Sequence, residues 1–326
     1  MSGLLLVTQG AVSQGVLWGI MVLGVYITYK LLDIPDLTAD GSFTLGGCVC
    51  TVAILSGVDP ILATVMGLFA GLLAGAVTGI LHTVFEIPAI LAGILTQIGL
   101  WSVNLRIMGG KSNNPLLKSD STISFFVDNF GVSQSQAALI VGIILVLIVI
   151  AVLYWFFGTE IGAALRATGD NADMIRAQGV NINHTKLIAL SLSNGLIGLS
   201  GAMVAQMQKY ADTNMGRGAI VIGLAAIVIG EVLMNRVKNF GLKLFSAVVG
   251  AIIYFLIRAY AIQLGLNVND MQLISALLVA IALAIPVAMR KWREKAAYTE
   301  GDLYADEHAA ANSSANALNP QNKEGR

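Results

Sequence analysis

Residues 136–157 read QAALIVGIILVLIVIAVLYWFF, and residues 158–186, which follow directly, read GTEIGAALRATGDNADMIRAQGVNINHTK. The first stretch has no charged residue and is long enough to cross about 30 Å of hydrocarbon as a helix. The second stretch is polar and contains several residue types that cap helices. Together, the two stretches predict a helical membrane protein with an ordered loop between two spans.

The composition of the whole chain agrees with a membrane protein. Of its 326 residues, 56% are hydrophobic and 12% are charged, and its mean hydropathy is +0.77. Soluble domains carry about 25% charged residues. The formal net charge is zero, so no basic surface indicates binding of nucleic acid. We therefore expect an all-α integral membrane protein embedded in a lipid bilayer.

Apolar runs of membrane-spanning length recur along the chain. They predict nine transmembrane segments, at residues 12–32, 42–57, 61–84, 87–108, 136–157, 187–208, 218–234, 241–264 and 271–289. Lys and Arg residues collect on the cytoplasmic side of membrane proteins. Most of them lie on one side of the predicted segments if the 158–186 loop is cytoplasmic. This orientation predicts an N-terminus outside and a C-terminus inside.

The C-terminal residues differ in composition from the rest of the chain. Residues 296–326 are polar and rich in Ala, Asn and Glu, which is typical of segments that cannot bury a core. We therefore predict a transmembrane domain over residues 1–295, followed by a disordered cytoplasmic tail.

The 158–186 loop carries its own helix signals. Asp170 or Asn171 can cap a short helix over residues 172–178, and Gly179 can end it. Met174 lies in that helix and is exposed unless a partner covers it, and we expect Arg166 and Arg176 to present their charge to the surrounding solution. Either the loop is a solvated connector, or it is a docking surface for another protein. The exposed apolar residue between two capped ends favours docking.

Two predicted helices each carry a face with a regular pattern of residues. Gly67, Gly71, Gly75 and Gly79 recur every four residues and so share a face, which indicates close helix packing, although such a stripe could also flank a permeation path. In the fourth segment, Gln97, Trp101 and Asn104 share a face, and Thr96 lies beside it. Asn194, in the sixth segment, is a further candidate for the same site.

Amide side chains in a membrane helix normally face protein or water. The face of the fourth segment could therefore line a translocation path, with Trp101 offering a surface for stacking. It could equally serve hydrogen bonding between helices, with Trp101 at the membrane interface. The sequence leaves both interpretations open.

The stretch DIPDLTADGSFTLGG, residues 33–47, places three aspartates between two apolar segments. The predicted orientation puts it at the cytoplasmic end of the helices, where a carboxylate need not enter hydrocarbon. Asp40 can cap the N-terminus of the second segment. We expect Asp36, Asp40 and Ser42 to form the helix entry at the inner mouth. Asp36 is either solvated, or contacts a partner or a gate.

The sequence offers no catalytic arrangement. The GGKS at residues 109–112 lacks the earlier glycine of a phosphate-binding loop, since residue 105 is Leu. His82, His184 and His308 lie far apart, and Cys48 and Cys50 are read as small buried residues rather than a metal pair. We predict no enzyme, no metal site and no ATP site on this chain.

Three motifs, in this order, resemble one group of transport proteins. They are DIPDLTADGSFTLGG at 33–47, LWSVNLRIMGG at 100–110 and ALRATGDNADMIRAQGVNINHTK at 164–186. The last resembles the coupling segment of permease subunits of bacterial ABC importers, among them the branched-chain amino acid, ribose and nucleoside permeases. The first two look most like the branch of tryptophan/tyrosine-type and uncharacterised transport permeases. The resemblance covers about residues 15–290.

The resemblance implies a type II-like ABC importer permease in the bacterial cytoplasmic (inner) membrane. Two copies would pair as a homodimer around a central path, and some relatives have eight or ten segments rather than nine. Each copy would rest on an ATPase subunit, which binds ATP and Mg, and an extracytoplasmic binding protein would deliver the solute. By motif position, the residues in or beside the ATPase-coupling helix would be Arg166, Asp170, Asn171, Met174, Arg176 and Gly179. Gln97, Trp101 and Asn104 would face the path.

Three functions therefore compete at this point. The first is the membrane subunit of an ATP-driven importer for a small organic solute that is amino-acid-like, with an aromatic side chain as the narrower expectation. The second is an ion-coupled secondary transporter, which often shows inverted repeats; no convincing repeat is present. The third is a structural or channel protein, which would have no need for a capped docking loop.

Overall fold

A computed structural model describes residues 2–116, 121–234 and 239–265, together with residues 273, 276, 277, 279–281 and 284. These residues are almost entirely helical. The elements are α1 (Ser2–Tyr26), a π-helical turn (Ile27–Leu31), α2 (Ala39–Leu55), α3 (Pro60–Thr83), α4 (Ala89–Ile107), β1 (Asn113–Pro115), α5 (Thr122–Phe130), α6 (Gln134–Gly158), α7 (Glu160–Asp170), α8 (Ala172–Ala177), α9 (Ile182–Gln208), β2 (Tyr210–Asp212), α10 (Ala219–Leu233) and α11 (Phe240–Gln263).

The long helices fit the thickness of a membrane. Within the described residues, six helices are long and apolar enough to cross it: Gly3–Leu31, α3, α4, α6, α9 and α11. The predicted segments 42–57 and 218–234 are the shorter apolar helices α2 and α10, of 17 and 15 residues. Most of the predicted segment 271–289 lies outside the described residues.

One compact unit comprises Met1–Val279, and a second unit begins at Ala280. The helices from α1 to α11 all belong to the first unit. The predicted domain boundary at residue 295 and the predicted disordered tail from residue 296 lie outside the described residues and stay predictions.

The helix α9 lies at the centre of the first unit, where α1, α2 and α3 pack against it. Small and hydroxyl-bearing side chains let these helices come close to one another. The Ser193 hydroxyl donates to the Gly24 carbonyl of α1 at 2.8 Å, and the Ser200 hydroxyl donates to the Leu17 carbonyl at 2.8 Å. Both hydroxyls are thereby satisfied away from water.

The four glycines of α3 face α9 and its neighbour α2. A Cβ atom added at Gly71 or Gly75 would collide with the backbone carbonyls of Asn194 and Leu190, and one at Gly79 would meet Leu187. At Gly67 it would meet the Ala202 side chain. The stripe therefore lies at a close helix contact, the first of the two interpretations of this face.

The two ends of the unit differ in their connections. At the end where α9 begins, α7 and α8 form a two-helix loop. We call this the loop end. At the end where α9 stops, β1 and β2 pair antiparallel, with Asn114 opposite Ala211. We call this the sheet end. The short helix α5 begins with a capping box between Ser121 and Ser124.

Candidate functional site

The segment of residues 33–38 joins α1 to α2 and turns back into the protein. The carbonyl of Leu31, at the end of the π-helical turn, lies directly against Gly169 of α7 at the loop end. Asp33 then adopts a left-handed backbone conformation, with φ of 54°. From there the chain runs inward until Asp36 contacts Asn194. Asn194 lies about 18 Å along α9 from its first residue, at roughly 1.5 Å per residue.

Asp36 is therefore buried deep within the helices, with only 4% of its surface exposed. Its Oδ2 accepts a hydrogen bond from Asn194 Nδ2 at 2.6 Å, and its Oδ1 accepts one from the Thr38 backbone N–H at 2.9 Å. Asn194 Nδ2 also donates to the Leu190 carbonyl at 2.9 Å. The structure differs here from the expectation of a solvated Asp36 at an inner mouth. The carboxylate tolerates burial because both oxygens have partners.

A second contact holds the same segment to α3. The Thr38 and Thr78 hydroxyls lie 2.7 Å apart, and the Thr78 hydroxyl also lies 3.3 Å from the Ala74 carbonyl. The backbone nitrogen of Leu37 lies so close to Gly93 of α4 that a Cβ there would come within 2.9 Å of it. The segment 33–38, which together with Ala39 and Asp40 we call the re-entrant segment, is thus fixed between α9, α3 and α4.

Asp40 joins the beginnings of two short helices. It lies in the first turn of α2, but its side chain points at the first turn of α10. Its Oδ2 accepts from the Gly218 N–H at 2.8 Å, and its Oδ1 accepts from the Ile220 N–H at 3.0 Å. The prediction that Asp40 caps the N-terminus of the second segment is wrong. The carboxylate caps α10 instead, because Gly218 has no side chain to do so.

Thr44, one turn further along α2, strengthens this junction. Its hydroxyl accepts from the Gly216 N–H at 3.1 Å and donates to the Asp40 carbonyl at 3.0 Å. Ser42 is fully buried nearby, and its hydroxyl has no hydrogen-bond partner within the described part of the chain. The backbone of residues 216–220 is therefore held by side chains of α2.

A cavity of about 560 Å³ opens beside this junction. Its lining comes from α2, from α4 and from the connection between β2 and α10, and includes Asp40, Thr44, Gln97, Trp101, Asn104 and Arg217. Trp101 lines the cavity and is 53% exposed. We call this space the α2–α4 cavity.

The proposed path residues divide into two groups. Gln97, Trp101 and Asn104 line the α2–α4 cavity, whereas Thr96 is buried and its hydroxyl donates to the Ala92 carbonyl of its own helix. Asn194 is completely buried beside Asp36. Thr96 and Asn194 thus do not line the cavity, and instead form hydrogen bonds within the surrounding helices.

Asn104 combines both interpretations of the α4 face. Its Nδ2 lies 3.4 Å from the Gly41 carbonyl of α2, so it forms a hydrogen bond between helices. Its Oδ1 has no partner among the residues that the structure describes. The amide nitrogen therefore holds α4 to α2, and the amide oxygen, without a partner among those residues, is buried beside the cavity.

The α7–α8 loop follows its predicted capping closely. The Asn171 side chain accepts from the Met174 N–H at 3.0 Å and so caps α8, whereas Asp170 is the last residue of α7. Gly179 ends the turn after α8 with φ of 85°, a conformation that strongly favours glycine. Met174 is 49% exposed, while its neighbour Ile175 is buried.

The two arginines of this loop behave differently. Arg176 is exposed and pairs with Asp173 at 3.0 Å within the same helix. Arg166 instead turns back towards the helices, where it donates to the Phe157 carbonyl at 2.8 Å and lies over the Phe240 ring. The expectation that Arg166 presents its charge to the surrounding solution is therefore wrong, since it anchors α7 to α6 and α11.

The loop also contacts α9 and the π-helical turn that leads into the re-entrant segment. Gly169 of α7 contacts the Leu31 carbonyl, and the hydroxyls of Thr168 and Thr185 lie 3.3 Å apart. On the other side of the π-helical turn, Lys30 pairs with Glu231 of α10 at 2.9 Å. Residues 27–40 therefore touch the loop, the far end of α10 and, through Asp40, its beginning.

Several contributors to the site were not predicted. Thr38 and Thr78 fix the re-entrant segment, and Asn214 and Arg217 line the cavity. Arg217 could have been found from the sequence, because an isolated charged residue next to an apolar membrane segment often marks a functional site. In the described residues, no group of three His, Cys, Asp or Glu side chains could hold a metal ion.

These features define a multi-pass membrane protein in which two short helices meet beside a polar cavity. The family model for the permease component of branched-chain amino acid transport systems matches residues 7–284. The chain belongs to that family. The resemblance of its sequence motifs to permease subunits of bacterial ABC importers is thereby confirmed.

Individual relatives match between 77% and 90% of the chain. A tyrosine transport system permease protein of Clostridioides difficile (strain R20291) is 39% identical over 298 residues, which are 90% of this chain and 96% of the relative. An uncharacterized protein of Rickettsia prowazekii (strain Madrid E) is 32% identical over 84% of this chain and 95% of the relative. A ribose import permease protein of Escherichia coli (strain K12) is 23% identical over 77% and 76%. No solved structure matches this chain.

Proposed function

We propose that this chain is the membrane-spanning permease subunit of an ATP-driven importer, and that its solute is a small amino acid with an aromatic side chain. The family supports the transport role, and the tyrosine transport relative supports the solute class. The exposed indole of Trp101 in the α2–α4 cavity is suited to stack against an aromatic ring. An extracytoplasmic binding protein would deliver the solute to the sheet end.

ATP hydrolysis belongs, in this proposal, to separate ATPase subunits that bind ATP and Mg. The observation that carries this part is the α7–α8 loop. Its backbone is capped at both ends, and its apolar Met174 is held outward while Ile175 faces inward. An exposed apolar side chain on a rigid turn is favourable only when a partner covers it, so Met174 supports docking rather than a solvated connector. Asp170, Asn171, Arg176 and Gly179 frame this surface, and Arg166 anchors it from below.

Movement of the loop has a physical route to the cavity. A shift of α7 presses on Leu31 through Gly169, where no side chain separates the two backbones. The segment 33–38 is clamped at Asp36 and Thr38, so a displacement there reaches Asp40 and the first turn of α10. Residues 27–40 would therefore transmit the nucleotide state of the ATPase to the α2–α4 cavity.

The remaining parts of the proposal concern the assembly. Two copies would form a homodimer around the path in the bacterial inner membrane. The loop end would face the cytoplasm, since Lys30, Arg176, Lys186 and Lys243 lie on segments at that end. The N-terminus would then be outside and the C-terminus inside, with nine membrane segments. Among them, α2 and α10 would begin within the protein.

Uptake by the reconstituted system tests the function. The chain, the ATPase and the binding protein encoded beside it are placed in proteoliposomes, and uptake of radiolabelled L-tyrosine is measured. We expect uptake that requires ATP inside and the binding protein outside. Uptake by the chain alone, driven by an ion gradient, would instead support the secondary-transporter alternative and overturn the proposal.

The role of the cavity wall has its own test. In the double variant Gln97→Leu with Asn104→Leu, we expect ATP-dependent uptake to fall by at least tenfold, because the polar face of α4 becomes apolar. Assembly with the ATPase should remain. Thr96→Val is the matched control, since Thr96 does not line the cavity. Normal uptake by the double variant would show that the face serves packing alone.

A further inference from the structure

A second cavity, of about 660 Å³, lies towards the sheet end. Its lining comes from α1, from Asn113 of β1, from residues 208–222 around β2 and the start of α10, from Arg258 on α11 and from Ala276. It shares Asn214 and Arg217 with the α2–α4 cavity. The two spaces are therefore neighbours, and a small solute could be passed from one to the other past a common pair of side chains.

Trp18 of α1 gives this second cavity a specific feature. The indole is 5% exposed and lines the cavity. Its ring is fixed between Phe43, at a centroid distance of 4.6 Å, and Phe255, at 5.3 Å. Its Nε1–H has no hydrogen-bond partner within the described part of the chain. Buried donors almost always have an acceptor, so the unpartnered N–H is an unusual feature of the residues that line this cavity.

The charged side chains around the cavity indicate which kind of ligand suits it. Two guanidinium groups, of Arg217 and Arg258, line the space. Arg258 lies over the Phe255 ring that also holds Trp18, with 5.9 Å to the ring centroid. Arg217 gives one N–H to Asn214 Oδ1 at 3.1 Å and keeps other donors. Among the described residues that line the cavity, Asp212 is the single carboxylate.

We propose that this second cavity is a solute-binding site that holds the carboxylate of a zwitterionic amino acid between Trp18 Nε1–H and the guanidinium groups of Arg258 and Arg217. Asp212 faces the ammonium group of the same ligand. The site rests on the proposed function, and it adds a recognition step within the membrane subunit itself. A charged acceptor suits these donors because hydrogen bonds to ionised groups are the stronger ones.

Direct binding to the purified full-length chain tests the proposal. Radiolabelled L-tyrosine is the probe, and binding is followed by scintillation proximity in detergent without ATPase or binding protein. Unlabelled tyramine, which lacks the carboxylate, and inorganic phosphate are the competitors. We expect L-tyrosine to bind saturably, and we expect tyramine and phosphate to compete at least tenfold more weakly than unlabelled L-tyrosine.

Variants locate the binding. Trp18→Phe keeps the ring between Phe43 and Phe255 and removes only the N–H donor, and Arg258→Gln removes one charge. Each should weaken binding about tenfold, the loss expected for one hydrogen bond to a charged group. Arg106→Gln, an exposed arginine that lines neither cavity, is the control and should bind as the wild type. If Trp18→Phe does not fold, Arg258→Gln alone decides.

Three results would overturn the site. They are equal binding by the wild type and Arg258→Gln, competition by tyramine as strong as by L-tyrosine, and displacement by phosphate, which would indicate an unselective anion site such as one for a lipid headgroup. Absence of binding by the wild type would also overturn it. ATP-dependent uptake by the complete system would still support the proposed function in that case, so the two failures are distinguishable.

Discussion

The α7–α8 loop and the re-entrant segment 33–40 are both polar stretches between apolar helices, yet they satisfy their polar groups in opposite ways. In the loop, Asn171 caps a helix that begins one residue later, and Arg176 pairs with Asp173 three residues away. In the re-entrant segment, Asp36 binds a residue 158 positions away, and Asp40 binds backbone groups 178 and 180 positions away. The cap and the ion pair of α8 are formed within the loop, whereas the carboxylates of the re-entrant segment find most of their partners only in the folded bundle.

This difference separates two functional roles. A loop that satisfies its own backbone can offer its remaining surface, here Met174, to another protein. A segment whose carboxylates hold two other helices, α9 and α10, cannot change without moving them. We therefore expect substitutions in 33–40 to affect the stability of the chain, and substitutions on the loop surface to affect association.

The largest effect is expected for Asp36→Ala. The change leaves the Thr38 N–H without its acceptor and removes one of the two acceptors of the Asn194 amide, deep between α3 and α9. The free energy of unfolding should fall by about 3 kcal/mol, since the lost hydrogen bonds involve a buried carboxylate. Thermal unfolding of the purified chain in detergent measures it, as a loss of several degrees.

Asp128→Ala is the matched control for that variant. Asp128 is exposed on α5, so its change should alter the free energy of unfolding by less than about 0.5 kcal/mol. If both variants unfolded at the same temperature, Asp36 would not be the clamp of the re-entrant segment, and the contrast between the two regions would be lost.

A smaller effect is expected for Asp40→Ala. The variant removes the cap of α10, which should cost about 1–2 kcal/mol. Asp40→Asn keeps one side-chain oxygen and should retain part of the cap. Hydrogen exchange of the amides of residues 218–220 is the local measurement, and it should accelerate most in Asp40→Ala. Unchanged exchange at these amides would contradict the assignment of the cap to α10.

The smallest effect is expected for Glu231→Gln. Lys30 and Glu231 are 46% and 40% exposed, and ion pairs in such settings contribute below about 1 kcal/mol. Thermal unfolding at low and at high salt measures the difference, which should shrink as salt rises. A loss of stability as large as that of Asp36→Ala, unaffected by salt, would mean that this pair is a structural clamp as well.

The features that could be predicted from the sequence are those that depend on neighbouring residues, and the features that were missed depend on distant ones. The positions of the long helices and the stop at Gly179 depend on neighbouring residues, so local rules predicted them. The same rules narrowed the α8 cap to Asp170 or Asn171, and the structure shows that it is Asn171. The function of Asp40 as a cap was predicted in kind, but its helix was wrong, because the open amides belong to α10. The burial of Asp36 depends on Asn194, and no local pattern pairs the two. Arg166 was likewise assigned to solution, although Phe157 and Phe240 hold it.

The central claim is that the chain is a permease subunit whose α7–α8 loop docks a separate ATPase, and co-purification of that ATPase with Met174→Asp tests it most directly. Met174→Asp places a charge in the apolar contact without disturbing the capped backbone. We predict that the variant unfolds at the wild-type temperature but loses the ATPase, whereas Asp128→Ala retains it. Full recovery of the ATPase with Met174→Asp, and again after deletion of residues 170–179, would contradict docking at this loop.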